Sequence, residues 1–135
     1  MRILFATDAS DGALSAARYV AKVFPLDAEI TLVNVLRNPV EYFPDAAVAY
    51  NPDIWRQEGM KFSQGVFQTT REALGGRAVK EIFREGVPHQ VLLDMSRDYD
   101  LVVVGKRRKP SLSRLVLGSV SQSLAHNLQV PLLIV

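Results

Sequence analysis

The residues best suited to chemistry lie in one segment, Gly105–Ser121. A glycine ends an apolar run there, a basic loop follows, and Gly118-Ser119-Val120-Ser121 opens a helical pattern. Glycine lets main-chain amides come close to a ligand, and a helix N-terminus presents unpaired N–H groups with partial positive charge. Hydroxyls at Ser119 and Ser121 add donors suited to phosphate oxygens, and Lys106-Arg107-Arg108-Lys109 sets a run of cations beside them. The chemistry would be anion binding. The same residues also fit a turn glycine, a solvated basic loop and a capped helix with no ligand. Asp8, just after the first apolar run, is the other suspect. A carboxylate there faces a ligand or caps the next helix, and the two roles can coexist. His89 and His126 fall in helical patterns with no metal partner or nucleophile at fixed spacing, and both read as surface residues.

Positioning these groups requires a scaffold, and the hydrophobic pattern describes one. Ile3–Ala6, Ile30–Val35, Leu101–Val104 and Val130–Val135 are short apolar runs without alternation. Such runs are strands buried on both faces, the mark of a parallel sheet. A weaker strand near Ala78–Phe83, interrupted by Lys80 and Glu81, reads as an edge. Ser10 opens the first helix, with Leu14, Ala17, Val20, Ala21 and Phe24 on one face. Asn51-Pro52-Asp53 starts a second. It runs to Leu74 and stops at Gly75-Gly76, with Trp55, Phe62, Val66 and Leu74 as its expected core face. Pro88 starts a third, carrying Val91, Leu92 and Met95, and Ser119-Val120-Ser121-Gln122 has the form of a capping box for a fourth. The stretch Arg37–Asn51, with Pro39, Tyr42, Phe43, Pro44 and Tyr50, is long for a connection. It reads either as a lid or as a surface loop held down by its aromatics.

Strands alternating with helices mean right-handed βαβ units and a doubly wound α/β sheet. Ligands of such sheets bind beyond the carboxyl ends of the strands, where the strand order reverses. The residues leaving those ends are Thr7 and Asp8, Val35, and Gly105. If the strand order is 3-2-1-4-5, strands 1 and 4 flank the reversal point, and Asp8 and Gly105 lie across one crevice. Composition agrees: 48% hydrophobic and 22% charged residues are globular rather than disordered proportions. The lack of cysteine excludes disulfides and thiolate zinc sites. The apolar start gives way to Thr7 and Asp8 too soon for a signal peptide, and no window nears the ~20 apolar residues of a membrane span. A net charge of +2 is too small to argue for nucleic acid.

Several of these segments have a family register. Many universal stress proteins carry a nucleotide-binding pattern of Gly, two residues, Gly, nine residues, Gly, then Ser or Thr. Gly105, Gly118 and Ser119 match it without a gap, and Arg108 stands at the second glycine. Ala6-Thr7-Asp8-Ala9-Ser10 looks like the family's first strand and its aspartate. Gly86-Val87-Pro88-His89 resembles the start of its third helix, and Val130–Val135 looks like its last strand. The chain thus resembles the universal stress protein family over essentially all 135 residues, most specifically in its C-terminal third. The resemblance implies a single domain over 1–135 with a three-layer α/β/α fold. Its five-stranded parallel sheet would have the order 3-2-1-4-5, adenine nucleotide alpha hydrolase-like. It also implies a homodimer joined through Val130–Val135, and ATP with Mg over the switch point. Carried onto matching positions, Ala6, Thr7 and Asp8 would lie near the nucleoside, with Asp8 also reaching nucleotide-bound Mg. The main chain at Val35 would lie near adenine, and Val104 and Gly105 by the ribose. Arg108 would stand in the phosphate loop, and Gly118, Ser119, Val120 and Ser121 would hold the phosphates.

Two functions follow as expectations. One is a cytoplasmic regulatory module binding ATP or a related adenine nucleotide. Little or no hydrolysis is expected, because no residue reads as a general base aimed at water. The other is a dimeric stress-response scaffold acting through protein partners, like family members that lack the glycine pattern. Neither DNA nor membrane is an expected partner. No Gly-x-Gly-x-x-Gly follows the first strand and no Walker A lysine is present. A phosphoacceptor receiver would need an aspartate where Arg84-Glu85-Gly86 stands. Arg108 sets a test. Its charge is partly duplicated by Lys106, Arg107 and Lys109, whereas backbone freedom at that point is not. Arg108→Gly is expected to tighten ATP binding, by roughly tenfold at most, about 1.4 kcal/mol. A loss of affinity on titration would instead make Arg108 a ligand contact.

Overall fold

A computed structural model of the chain describes residues 1–38, 51–106 and 118–135. In chain order the elements are β1 (Arg2–Ala6), α1 (Asp11–Val23), β2 (Glu29–Leu36), α2 (Pro52–Ala73) and β3 (Val79–Glu85). They continue with α3 (Pro88–Ser96), β4 (Leu101–Val104), α4 (Ser119–Asn127) and β5 (Leu132–Ile134). The strands form one parallel sheet of order β3-β2-β1-β4-β5. β1 is central, with Ile3 level with Ile30 of β2 and Leu101 of β4. As its polar interruptions suggest, β3 lies at an edge.

Successive strand side chains point to opposite faces, so each apolar run feeds two cores. On one face Ile3, Phe5, Ile30, Leu32 and Val103 pack with Ala16, Ala17 and Val20 of α1 and Phe67 of α2. On the other, Leu4, Val33, Val102 and Val104 pack with Leu92 of α3 and Leu124 of α4. The result is a three-layer α/β/α arrangement.

Two helix faces differ from the periodic expectation. In α1 the fully buried line is Ala13, Ala16, Ala17 and Val20, while Leu14 and Ala21 are half-buried. The small residues are there because the start of α1 presses backbone to backbone on the exit of β4. A Cβ on Gly12 would overlap the Lys106 carbonyl, and one on Gly105 would overlap the Gly12 and Ala13 backbone. Gly105 therefore has a packing role, whatever lies beyond it. In α2 the buried line is Gly59, Ser63, Val66, Phe67 and Thr70. Leu74 is buried as expected and Trp55 is half-buried, but Phe62 is 59% exposed. Its neighbour Ser63 turns inward instead, because a polar group in β2 needs it.

The helix ends follow local chemistry. Ser10 Oγ accepts from Ala13 N at the start of α1, and Asn51 Oδ1 from Asp53 N and Ile54 N at the start of α2. Gly75 (φ +72) and Gly76 (φ +75) end α2 in the left-handed region that glycine alone enters freely. The capping box expected at Ser119 does not form. Gly118 is the N-cap of α4, and no side chain caps it. The lid reading of Arg37–Asn51 falls almost wholly on residues 39–50, outside the described residues. No described helix is long and apolar enough to cross a membrane.

Candidate functional site

A cleft of about 180 Å³ opens at the carboxyl ends of β1, β2 and β4, on the α3/α4 side of the sheet. Val33, Val35, Val104 and Leu92 supply apolar wall, and Asp8, Ser10 and Ser119 line it with polar groups. Every residue carried over from the family pattern lines this cleft except Arg108, while Lys106 of the basic run does not line it. Arg108, with Arg107 and Lys109, lies outside the described residues.

The strongest electrostatic feature is the start of α4. With Gly118 as an N-cap that has no side-chain oxygen, the first amides of the helix keep their partial positive charge. Ser121, one turn in, is 7% exposed, and among the described residues its hydroxyl has no hydrogen-bond partner. Ser119 is exposed. The start of α3 borders the same cleft through Pro88, and its N-cap, Val87, likewise supplies no side-chain cap.

Asp8 is exposed, and its Oδ1 accepts from Ser10 N at 3.0 Å. Capping of α1 belongs to Ser10, so the other Asp8 oxygen is left clear. Between them Ala9 sits at φ +57, a left-handed conformation that costs a residue with a Cβ about 1 kcal/mol. Among the described lining residues Asp8 is the one carboxylate, and no described group of three acidic or metal-ligating side chains exists. Mg²⁺ commonly takes one or two carboxylates and completes its shell with phosphates and water. Asp8 fits that limited role. His89 and His126 do not line the cleft.

Behind the cleft lies a buried polar chain that sequence reasoning missed. Thr70 Oγ1 donates to Val66 O at 2.8 Å, which uses its single hydrogen. Thr7 Oγ1, 2.8 Å away, must therefore donate to Thr70, and it accepts from Ala9 N at 3.1 Å. The Thr7 hydroxyl is thus committed to α2. Asn34 Nδ2 donates to Thr7 O at 2.8 Å, and Ser63 Oγ donates to Asn34 Oδ1 at 2.7 Å. A signal existed: Asn34 is a lone amide inside an apolar run, and a buried polar group demands a partner. Arg37, considered earlier only as a loop residue, also lines the cleft.

A cleft where the order of a parallel sheet reverses, between β1 and β4, defines a doubly wound α/β protein with a switch-point site. The model of the universal stress protein family matches residues 1–135, and the chain belongs to that family. It is 29% identical to a universal stress protein of Methanocaldococcus jannaschii, over 99% of this chain and 81% of that protein. It is 30% identical to one of Mycolicibacterium smegmatis, over 98% of this chain and 47% of that protein, so it spans about half of the latter. Solved structures share the adenine nucleotide alpha hydrolase-like fold. The structure of MJ0577 from M. jannaschii has a TM-score of 0.75 at 23% identity, covering 99% of this chain and 94% of that one. A family member from Arabidopsis thaliana with AMP bound has a TM-score of 0.63 at 17% identity, covering 100% and 90%. A universal stress protein in complex with cAMP has a TM-score of 0.63 at 20% identity, covering 100% and 95%.

Proposed function

We propose that this chain is a regulatory module that holds ATP or a related adenine nucleotide in the switch-point cleft, with little or no hydrolysis. The observation that carries the reading is the start of α4, where uncapped amides meet a Ser121 hydroxyl that lines the cleft and has no partner among the described residues. Unsatisfied donors at a helix N-terminus suit phosphate oxygens. The phosphates lie along Gly118, Ser119, Val120 and Ser121, the ribose by Val104 and Gly105, and adenine by the Val35 main chain. Asp8 meets the nucleotide's Mg²⁺, next to Ala6 and Thr7. Two structural relatives, one with AMP and one with cAMP, support an adenine ligand. A cytoplasmic setting belongs to the same reading. Calorimetry at low salt should show ATP binding at micromolar to sub-millimolar Kd, weaker as salt rises and the cations beside the site are screened. No heat at millimolar ATP with Mg²⁺ would leave the protein-binding scaffold as the function.

The reading includes a homodimer. Among the described residues β5 pairs only with β4, and Val130–Val135 has no charge to blunt its outer edge. Such an edge tends to find a partner, and antiparallel pairing of two copies is the symmetric solution. Light scattering at micromolar concentration should give twice the 15.0 kDa chain mass. A monomer at ordinary salt would sink the claim.

A further inference from the structure

The ladder between β1 and β2 runs one residue past the strand, with Thr7 N donating to Val33 O at 3.0 Å. In an extended chain the N–H and C=O of one residue point to the same side, so the Thr7 carbonyl also faces β2. There it accepts from the Asn34 carboxamide at 2.8 Å. Asn34 is 2% exposed, and the Ser63 hydroxyl on its Oδ1 decides which end of the carboxamide is the donor. Thr70 holds the side chain of the same Thr7. The peptide after Thr7 is therefore gripped from β2 and from α2. No described peptide bond is cis, and in a trans peptide the N–H points opposite to the C=O. The Asp8 N–H is thus turned away from β2, toward β4 and the crevice where the sheet order reverses. It has no acceptor among the described residues, and Asp8 lines the cleft.

We infer that Asn34 is a positioning residue for ligand binding, and that it holds the Asp8 main-chain N–H in the crevice as a donor to an oxygen of the nucleotide. The inference rests on the nucleotide reading and adds a ligand contact from the β1 side of the cleft, across from α4. It also explains why the inner face of α2 carries Ser63 and Thr70 where apolar residues would pack more simply.

The test is titration of the ¹⁵N-labelled chain with AMP or with ATP and Mg²⁺, followed by the Asp8 amide resonance. That resonance should move downfield to saturation in the wild type. Asn34→Leu is expected to bind about tenfold more weakly and to lose the Asp8 shift, while retaining a cooperative unfolding transition. Where that variant does not fold, the wild-type Asp8 resonance decides alone. An Asn34→Leu chain that binds like wild type, or a wild-type Asp8 amide unmoved at saturation, overturns the inference and leaves the nucleotide reading standing. A wild type that binds neither AMP nor ATP overturns both.

Discussion

Gly12→Ala should lower the stability of the fold by about 3 kcal/mol, or roughly 10 °C in Tm for a chain of this size. Helix propensity alone predicts the opposite, since Gly12 lies in the first turn of α1 and alanine is the better helix former. Packing wins because the new Cβ would fall on the Lys106 carbonyl, which is main chain and cannot swing aside. Lys106 is itself tied to the end of the chain, its N–H donating to Val135 O at 2.8 Å. Gly65 provides the contrast. It is exposed in α2, and a Cβ there would meet nothing within 4 Å. Gly65→Ala should therefore stabilise, by about 1 kcal/mol. Urea unfolding followed by circular dichroism reads both. A Gly12→Ala chain as stable as the wild type would show that the α1–β4 contact is loose enough to take a Cβ, whatever Gly65→Ala does.

Ser121→Ala is expected to weaken ATP binding by roughly tenfold to a hundredfold, the range of a charge-assisted hydrogen bond of about 1.5–3 kcal/mol. Its effect on the free protein should be nil or slightly stabilising. The Ser121 hydroxyl has no hydrogen-bond partner among the described residues and reaches the cleft, so its removal leaves no orphaned group. The two readouts together, calorimetry with ATP and thermal melting without it, separate a ligand contact from a packing residue. Unchanged affinity in a folded Ser121→Ala chain would move the phosphates away from the start of α4.

Much of the scaffold is local in origin and could be read without a structure. Runs such as Leu101–Val104 reveal strands buried on both faces, because burial on both sides removes the alternation of a half-wet strand. Pro52, Gly75-Gly76 and Pro88 mark helix ends through backbone constraints that belong to single residues. The strand order came from the family resemblance. The cluster of candidate residues could be placed at one crevice because the doubly wound topology collects strand ends there.

Other features depend on which parts of the chain meet. Periodicity shows that α2 is amphipathic, but Phe62 and Ser63 are one position apart, and only Asn34 across the gap selects Ser63 for the inside. The sequence places the start of α4 at Ser119 correctly, yet the N-cap is Gly118 rather than a serine, which leaves the first amides and Ser121 unclaimed toward the cleft among the described residues. Gly105 reads as a ligand-facing glycine, while the structure also sets it against Gly12, more than ninety residues earlier. The sequence by itself determined the strands, helices and chain reversals, because propensity, capping and burial pattern act over a few neighbouring residues. The tertiary structure decided which side chains face inward and which donors stay unpaired, because those depend on partners that only folding brings into contact.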